Sequence, residues 1–328
     1  MSFKDIKGQD KPIQILKGYI KQSSVLGGYL FSGPEGIGKG LVAKTLAKAV
    51  NCQEDILDSC DRCASCLKID KQQHPDVQYI SGSGSLGIDN GASDAIKIEN
   101  IRQLKKDISL KPYEAKKKVF IIDNAHNLTA EAAGAILKIL EEPPGNSLMI
   151  LISSRPTLLF KTIISRCKII RFPPLPRAGL KEILKKDYGL DHNLAHFLAY
   201  FCEGRIGSAL RLKDADILTT KNRIIDQFIF LNKLSPENIS AQNREDISKQ
   251  FNILAAWFRD IYLIKIGLLH SELINLDRKT ELLRSINRYT SFDLDEILNS
   301  ISDSLLYLGQ NINIKLLLSN LKAELWKG

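Results

Sequence analysis

The sequence contains no apolar run that reaches the ~18–20 residues of a membrane-spanning helix. Its opening stretch, MSFKDIKGQDKP, has no apolar core of the kind a secretory signal needs. A cytoplasmic protein is expected. No internal repeat is evident. Basic residues are not interleaved with aromatic ones, as a stacking platform for single strands would require. That counts against a stand-alone DNA-binding regulator. The C-terminal third holds no catalytic constellation, and its helices read as packing surfaces. Balanced charge is also missing: 46 Lys and Arg stand against 37 Asp and Glu, a net charge of +9. This is a moderate lean towards a polyanionic partner. What remains is an ordinary globular composition, 44% hydrophobic and 25% charged, in a chain of 328 residues long enough for two or three domains.

The most informative stretch is YLFSGPEGIGKGLV, Tyr29 to Val42. It reads as a short buried strand, a glycine-rich turn and a helix start. Gly33, Gly36, Gly38 and Lys39 satisfy the phosphate-binding pattern G-x-x-x-x-G-K-[ST] up to its last position. Such a turn aims successive backbone N–H groups at an anion. The helix start adds its dipole and the lysine a mobile charge. The last position is Gly40, where a hydroxyl would bind magnesium. The loop is therefore equipped for phosphate and poorly equipped for the metal.

A second apolar run, VFII, ends at Asp123. A continuous apolar strand suits a parallel sheet covered on both faces, and ligands collect at the C-terminal ends of such strands. An acid there, beside a phosphate loop, is the arrangement that holds magnesium next to ATP. Asn124 follows, where an ATPase would place a carboxylate. An amide orients water but cannot take its proton.

Cys52, Cys60, Cys63 and Cys66 form C-x7-C-x2-C-x2-C. Four thiolates at this spacing fill a tetrahedral ion, giving a closed, structural zinc site. An iron–sulfur cluster or unliganded thiols are the alternatives, and a cytoplasmic setting disfavours disulfides. With four cysteines at hand, His74 reads as a surface or packing residue.

Apolar spacing predicts helices over 13–20, from Lys39 to the cysteines, from Lys97, and over Ala130–Leu140. It predicts strands at Tyr29–Ser32, Val77–Ile80, Val119–Ile122, Ser147–Ser153 and Ile169–Phe172, and a helical segment over Phe160–Cys167. Ser81–Asp94, rich in Gly and Ser, reads as a flexible insertion. Lys105 and Lys106 lie on a basic helix face, open to solvent or to nucleic acid. Pro173, Pro174 and Pro176 mark a domain boundary. Beyond it every segment reads as helical, with longer helices around Ile224–Leu231, Phe251–Leu269 and Leu294–Leu325.

Together these motifs resemble the clamp-loader branch of the AAA+ family. FKDIKGQDKPIQIL, GPEGIGKG, the four-cysteine insert, HPDV, KIENIRQL, VFIIDNAHNLT, ILKILEEPP and TIISRCKIIRF occur in the family's order between Phe3 and Phe172. The rest of the chain matches only in length and helical character. The resemblance implies an α/β P-loop domain, a parallel sheet with flanking helices, over 1–173 with a zinc module at 52–66. An all-α lid at 174–214 and an all-α collar for oligomerisation at 215–328 would follow. It implies work inside the DNA polymerase III holoenzyme, with γ/τ- and δ-type subunits, on a sliding clamp and primed-template DNA. The family's first sensor falls on Ser153 or Ser154. Its second lies in GRIGSAL, where a motor subunit's arginine is replaced by Gly207, although Arg205 is close by. With Gly40 and Asn124, these departures imply a non-hydrolysing member; an ATP-hydrolysing γ/τ-type motor is the alternative. Binding of ATP or ADP at the altered loop stays open. Ser165-Arg166-Cys167 is intact, and in the family this arginine reaches into a neighbour's nucleotide site.

Overall fold

The structure is a computed structural model that describes residues 1–22, 24–54, 57–82, 95–213, 216–230, 244–268 and 272–308. Residue contacts divide the chain into two compact units. One is Met1–Leu175 with Arg205–Gly207, and the other is Pro176–Gly204 with Ser208–Gly328.

The first unit is built on five strands: β1 (Gly27–Ser32), β2 (Val77–Ile80), β3 (Lys118–Ile122), β4 (Ser147–Ser153) and β5 (Cys167–Arg171). They lie in the order β2-β3-β4-β1-β5, all parallel. Side chains on a strand alternate faces, and the apolar residues divide accordingly. Tyr29, Phe31, Val119, Ile121, Leu148 and Ile150 face one core, packed with helices α1 (Asp10–Lys21) and α2 (Lys39–Asn51). Leu30, Phe120, Ile122, Met149 and Leu151 face the other. That core takes α4 (Ile98–Ile108) and α5 (Ala130–Glu141). With both faces covered, β3 and β4 are buried at every position, which is why they read as unbroken apolar runs. Each fully buried Leu, Ile or Phe contributes about 1.5–3 kcal/mol. Thr129 starts α5 by accepting the Ala132 N–H at 3.3 Å. A short helix, α3 (Ala64–Asp70), lies between α2 and β2.

Before β5 the structure departs from the expected helical run over Phe160–Cys167. Helix α6 spans only Lys161–Ile164, and Cys167 opens β5. Ser165 ends the turn, and Cys167 pairs with Gly28 of β1. Because β5 is an edge strand, three of its five residues are exposed, and this dilutes its apolar signal.

In the second unit α7 (Arg177–Tyr188), α8 (His192–Phe201) and α10 (Ile217–Ile225) are followed by a π-helical turn, Asp226–Phe230. Helices α11 (Arg244–Lys265), α12 (Lys279–Ser285) and α13 (Ser291–Leu308) come next. Helix α9 (Ile206–Lys213) starts within GRIGSAL. The expected insertion falls outside the described residues from 83 onward, and so does the expected C-terminal helix beyond 308. No helix of the described residues is long and apolar enough to cross a membrane.

Asp260 on α11 is fully buried and accepts the N–H groups of Ile274 and Asn275 and the Asn275 amide at 2.7–3.0 Å. Burial pushes its carboxyl above the usual range against these donors. Asp260→Ala leaves two buried N–H groups without an acceptor, at about 1–3 kcal/mol each. Asp260→Asn turns a donor towards donors. Both variants are expected to lower the unfolding free energy by several kcal/mol, seen as a lower urea midpoint in equilibrium unfolding. An unchanged midpoint would show that the 274–275 turn finds other acceptors.

Candidate functional site

Because all five strands run parallel, their C-terminal ends share one edge of the sheet, and most of the expected site residues collect there. Past Ser32 the ladder continues as Gly33 donates to the Ser153 carbonyl at 3.2 Å. A Cβ on Gly33 would lie 2.2 Å from the Phe172 carbonyl oxygen, so only glycine fits. Gly36 and Gly38 have φ of 75° and 96°, left-handed values that glycine adopts without strain. Gly38 is the residue before α2 and has no side chain to cap it, which leaves the first-turn N–H groups available to an anion.

Lys39 is buried, and its Nζ donates to the Gly33 and Pro34 carbonyls at 2.6 Å each. Burial lowers its pKa below the ordinary ammonium value, against the pull of Asp123 and Glu35. Gly40, by contrast, stands in open space: an added Cβ meets nothing within 4 Å. The missing hydroxyl is not a steric necessity.

Asp123 sits just past β3, its backbone N–H on the Ile80 carbonyl at 2.8 Å. Its Oδ1 accepts the Asn124 N–H at 2.8 Å. Asn124 is exposed with φ of 49°, a left-handed conformation asparagine tolerates. At the end of β4 the Ser153 hydroxyl is fully buried. It lies 3.3 Å from His126 Nδ1 and accepts the Arg155 N–H at 3.1 Å. Ser154, the next residue, is half-buried. His126 has no role in the sequence reading, although it stands inside the VFIIDNAH run. Burial, with Arg155 and Lys39, depresses its pKa, while Asp123 and Glu35 oppose. Gly207 lies against the loop: its N–H donates to the Gly36 carbonyl at 2.7 Å, and a Cβ on it would come within 2.8 Å of that oxygen. Any side chain here, arginine included, would press on the phosphate loop.

Arg166 is placed apart from this group. It immediately precedes β5, whose first residue is in register with Gly28. It is therefore at the N-terminal edge of the sheet, roughly 16 Å of strand from Ser32 at ~3.3 Å per residue. Its Nη2 meets Glu141 Oε1 at 2.6 Å and its Nη1 donates to the Thr162 carbonyl at 3.0 Å. The side chain is 36% exposed.

The four cysteines come together beside the N-terminal edge. Cys52 ends α2 and Cys63 caps α3, where its sulfur accepts the Cys66 N–H at 3.5 Å. Cys60 Sγ accepts the Cys63 N–H at 3.3 Å. All four sulfurs lie within 4.8 Å of one another, and none is in a disulfide. A tetrahedral ion with ~2.3 Å metal–sulfur bonds needs sulfurs about 3.8 Å apart, so after a small contraction this donor set could hold a metal ion. The thiols differ. Burial raises both Cys63 and Cys66, but N–H donors at Gln53 and Cys66 and neighbouring sulfurs bring Cys63 down to about 7. Cys66 stays well above its usual value.

The module is tied to the phosphate-loop helix. Lys48 of α2, 1% exposed, pairs with Asp61 and Asp70 and donates to the Met1 carbonyl. Asn51 bonds the backbone of Lys117 at both ends of its amide. His74 is buried and its Nδ1 accepts the Asp76 N–H at 3.1 Å; it packs, as one of its two expected readings has it.

Residues 8–176 match the family described as DNA polymerase III, delta subunit. The tau subunit of DNA polymerase III from Bacillus subtilis is 29% identical over 90% of this chain, which spans only 57% of that relative. The delta′ subunit of the same organism is 26% identical over 98% of this chain and 97% of its own length. A solved gamma-subunit-related protein of DNA polymerase III from Thermotoga maritima aligns over 95% of this chain and 98% of that one, at 18% identity and a TM-score of 0.44.

Proposed function

This chain belongs to the DNA polymerase III delta-subunit family of clamp-loader proteins, and from that premise we propose that it is a δ′-type subunit that does not hydrolyse ATP and lends Arg166 to a neighbour. One observation carries the reading: a formed phosphate-loop edge lacks two of its chemical parts, while an arginine waits at the opposite edge. Gly33, Gly36, Gly38 and Lys39 shape the loop, and Asp123 supplies the acid. Gly40 brings no hydroxyl for magnesium, and Asn124 no base. Gly207 seats its N–H on the Gly36 carbonyl and brings no arginine to meet a nucleotide there.

In this reading γ/τ- and δ-type subunits are the partners. The sliding clamp and primed-template DNA are met through the complex. Residues 174–214 form the lid and residues 215–328 the collar. Zinc is the metal held by Cys52, Cys60, Cys63 and Cys66. It ties the insert to α2 and takes no part in chemistry, since four sulfurs leave no open position.

The second reading is a γ/τ-type motor, favoured by the intact Lys39 and Asp123. Purified chain assayed alone separates the two. Negligible magnesium-dependent ATP hydrolysis is expected, because a general base is typically worth ~10²–10⁴-fold. Gly40→Thr fits the open space at that position, and together with Asn124→Glu it is expected to raise turnover above background. Turnover by the unaltered chain near ~1 s⁻¹, the low end of ordinary enzymes, would establish the motor reading instead.

A further inference from the structure

We propose that Glu141 is the resting partner of Arg166, a carboxylate that holds the guanidinium on its own chain until a neighbour's phosphate replaces it. The inference rests on the trans-arginine reading above. Glu141 is the last residue of α5. The C-terminal end of a helix carries partial negative charge and favours cations, so a glutamate there, followed by Glu142, runs against the local preference. A residue that breaks a local rule is expected to serve something beyond its own helix. What Glu141 touches is Arg166, at 2.6 Å.

The geometry suits an exchange. One side of the guanidinium is anchored on α6, with Nη1 on the Thr162 carbonyl at 3.0 Å and 3.4 Å from Ser165 Oγ. That anchor fixes the plane of the fork. The other side, Nη2, is given to a carboxylate on a different helix, and both side chains are partly open to water, 36% and 49% exposed. An ion pair so exposed is weak and screened by salt. An arginine–phosphate grip uses two parallel hydrogen bonds and is stronger. A phosphate brought to this edge by a neighbour therefore displaces Glu141 while the Thr162 anchor keeps the guanidinium aimed. Glu141 touches neither the nucleotide nor the attacking water; it positions Arg166 and competes for it.

The test is a reconstituted complex in which every partner subunit except the one that Arg166 faces carries alanine at its phosphate-loop lysine, so that one ATP site is read. It is assembled with native chain, Glu141→Gln, Arg166→Ala or the double variant. Glutamine keeps the size and removes the charge. Glu141→Gln is expected to raise clamp-stimulated kcat/KM for ATP about two- to five-fold, the range set by a surface ion pair. Arg166→Ala is expected to lower it, and in that background Glu141→Gln is expected to change nothing. A gain that persists without Arg166 overturns the proposal. So does an unchanged or slower Glu141→Gln complex beside a slow Arg166→Ala complex, and the trans-arginine reading then survives. If Arg166→Ala itself is unchanged, both fall.

Discussion

A clamp-loader complex carrying Arg166→Ala in this chain is expected to assemble normally and to lose ATP turnover at one site by ~10³–10⁵-fold. That corresponds to about 4–7 kcal/mol of transition-state stabilisation. In phosphoryl transfer, negative charge spreads over the equatorial oxygens, and a guanidinium can grip two of them with a charge that does not titrate. Arg166 cannot serve its own phosphate loop, because Cys167 and Gly28 register at the far end of β5 and β1. Its own-chain contacts are one exposed ion pair, one carbonyl and the Ser165 hydroxyl, and an exposed pair is worth only about 0.2–1 kcal/mol. The fold is therefore expected to tolerate alanine, and gel filtration of the complex checks that. Other sites in a multi-site assembly keep working, so the complex as a whole loses part of its rate. Lysine is a poor replacement, a point charge in place of a planar fork. An unchanged rate with assembly intact would make Arg166 a structural residue.

The second large effect concerns the cysteines. Native chain is expected to hold one zinc ion, and Cys63→Ser close to none. Cys63 contributes a sulfur and also caps α3, so its loss removes a ligand and loosens the helix that carries Cys66 and Asp70. Lys48, nearly inaccessible, depends on Asp61 and Asp70 within that module. Asp61 and Asp70 are 29% and 34% exposed, so loosening them leaves the buried lysine short of acceptors at about 1–3 kcal/mol, which lowers the thermal midpoint by roughly 5 °C in a unit of this size. Chelation under denaturing conditions is expected to reproduce the loss on refolding. Strong iron–sulfur absorption from anaerobically purified protein would contradict zinc, and full metal content in Cys63→Ser would contradict the four-sulfur site.

Much of the first unit was legible in the sequence because its signals are local. Ser147–Ser153 and Val77–Ile80 have the same bounds in sequence and structure, as buried parallel strands bounded by polar residues should. The cysteine cluster was visible from spacing alone, and the phosphate loop from its glycines. Signals that depend on distant partners were not visible. The Lys48 pairs with Asp61 and Asp70 arise only when α3 folds back on α2. His126 meets Ser153 across 27 positions of chain. Glu141 gives no sign of its contact with Arg166, which exists because β5 returns beside β1. Cys167 was read as a helix end because the edge strand it opens is half polar. Gly207 read as a lost arginine; the structure adds that its backbone occupies the place where a side chain would clash with Gly36.

The separation of roles is tested most directly by the DNA- and clamp-stimulated ATP turnover of one complex assembled three ways: with native chain, with Lys39→Ala, and with Arg166→Ala. If this chain lends an arginine and hydrolyses nothing, the Lys39→Ala complex turns over ATP at the native rate and the Arg166→Ala complex is slower. A slow Lys39→Ala complex beside a native-rate Arg166→Ala complex would show that this chain is itself a motor.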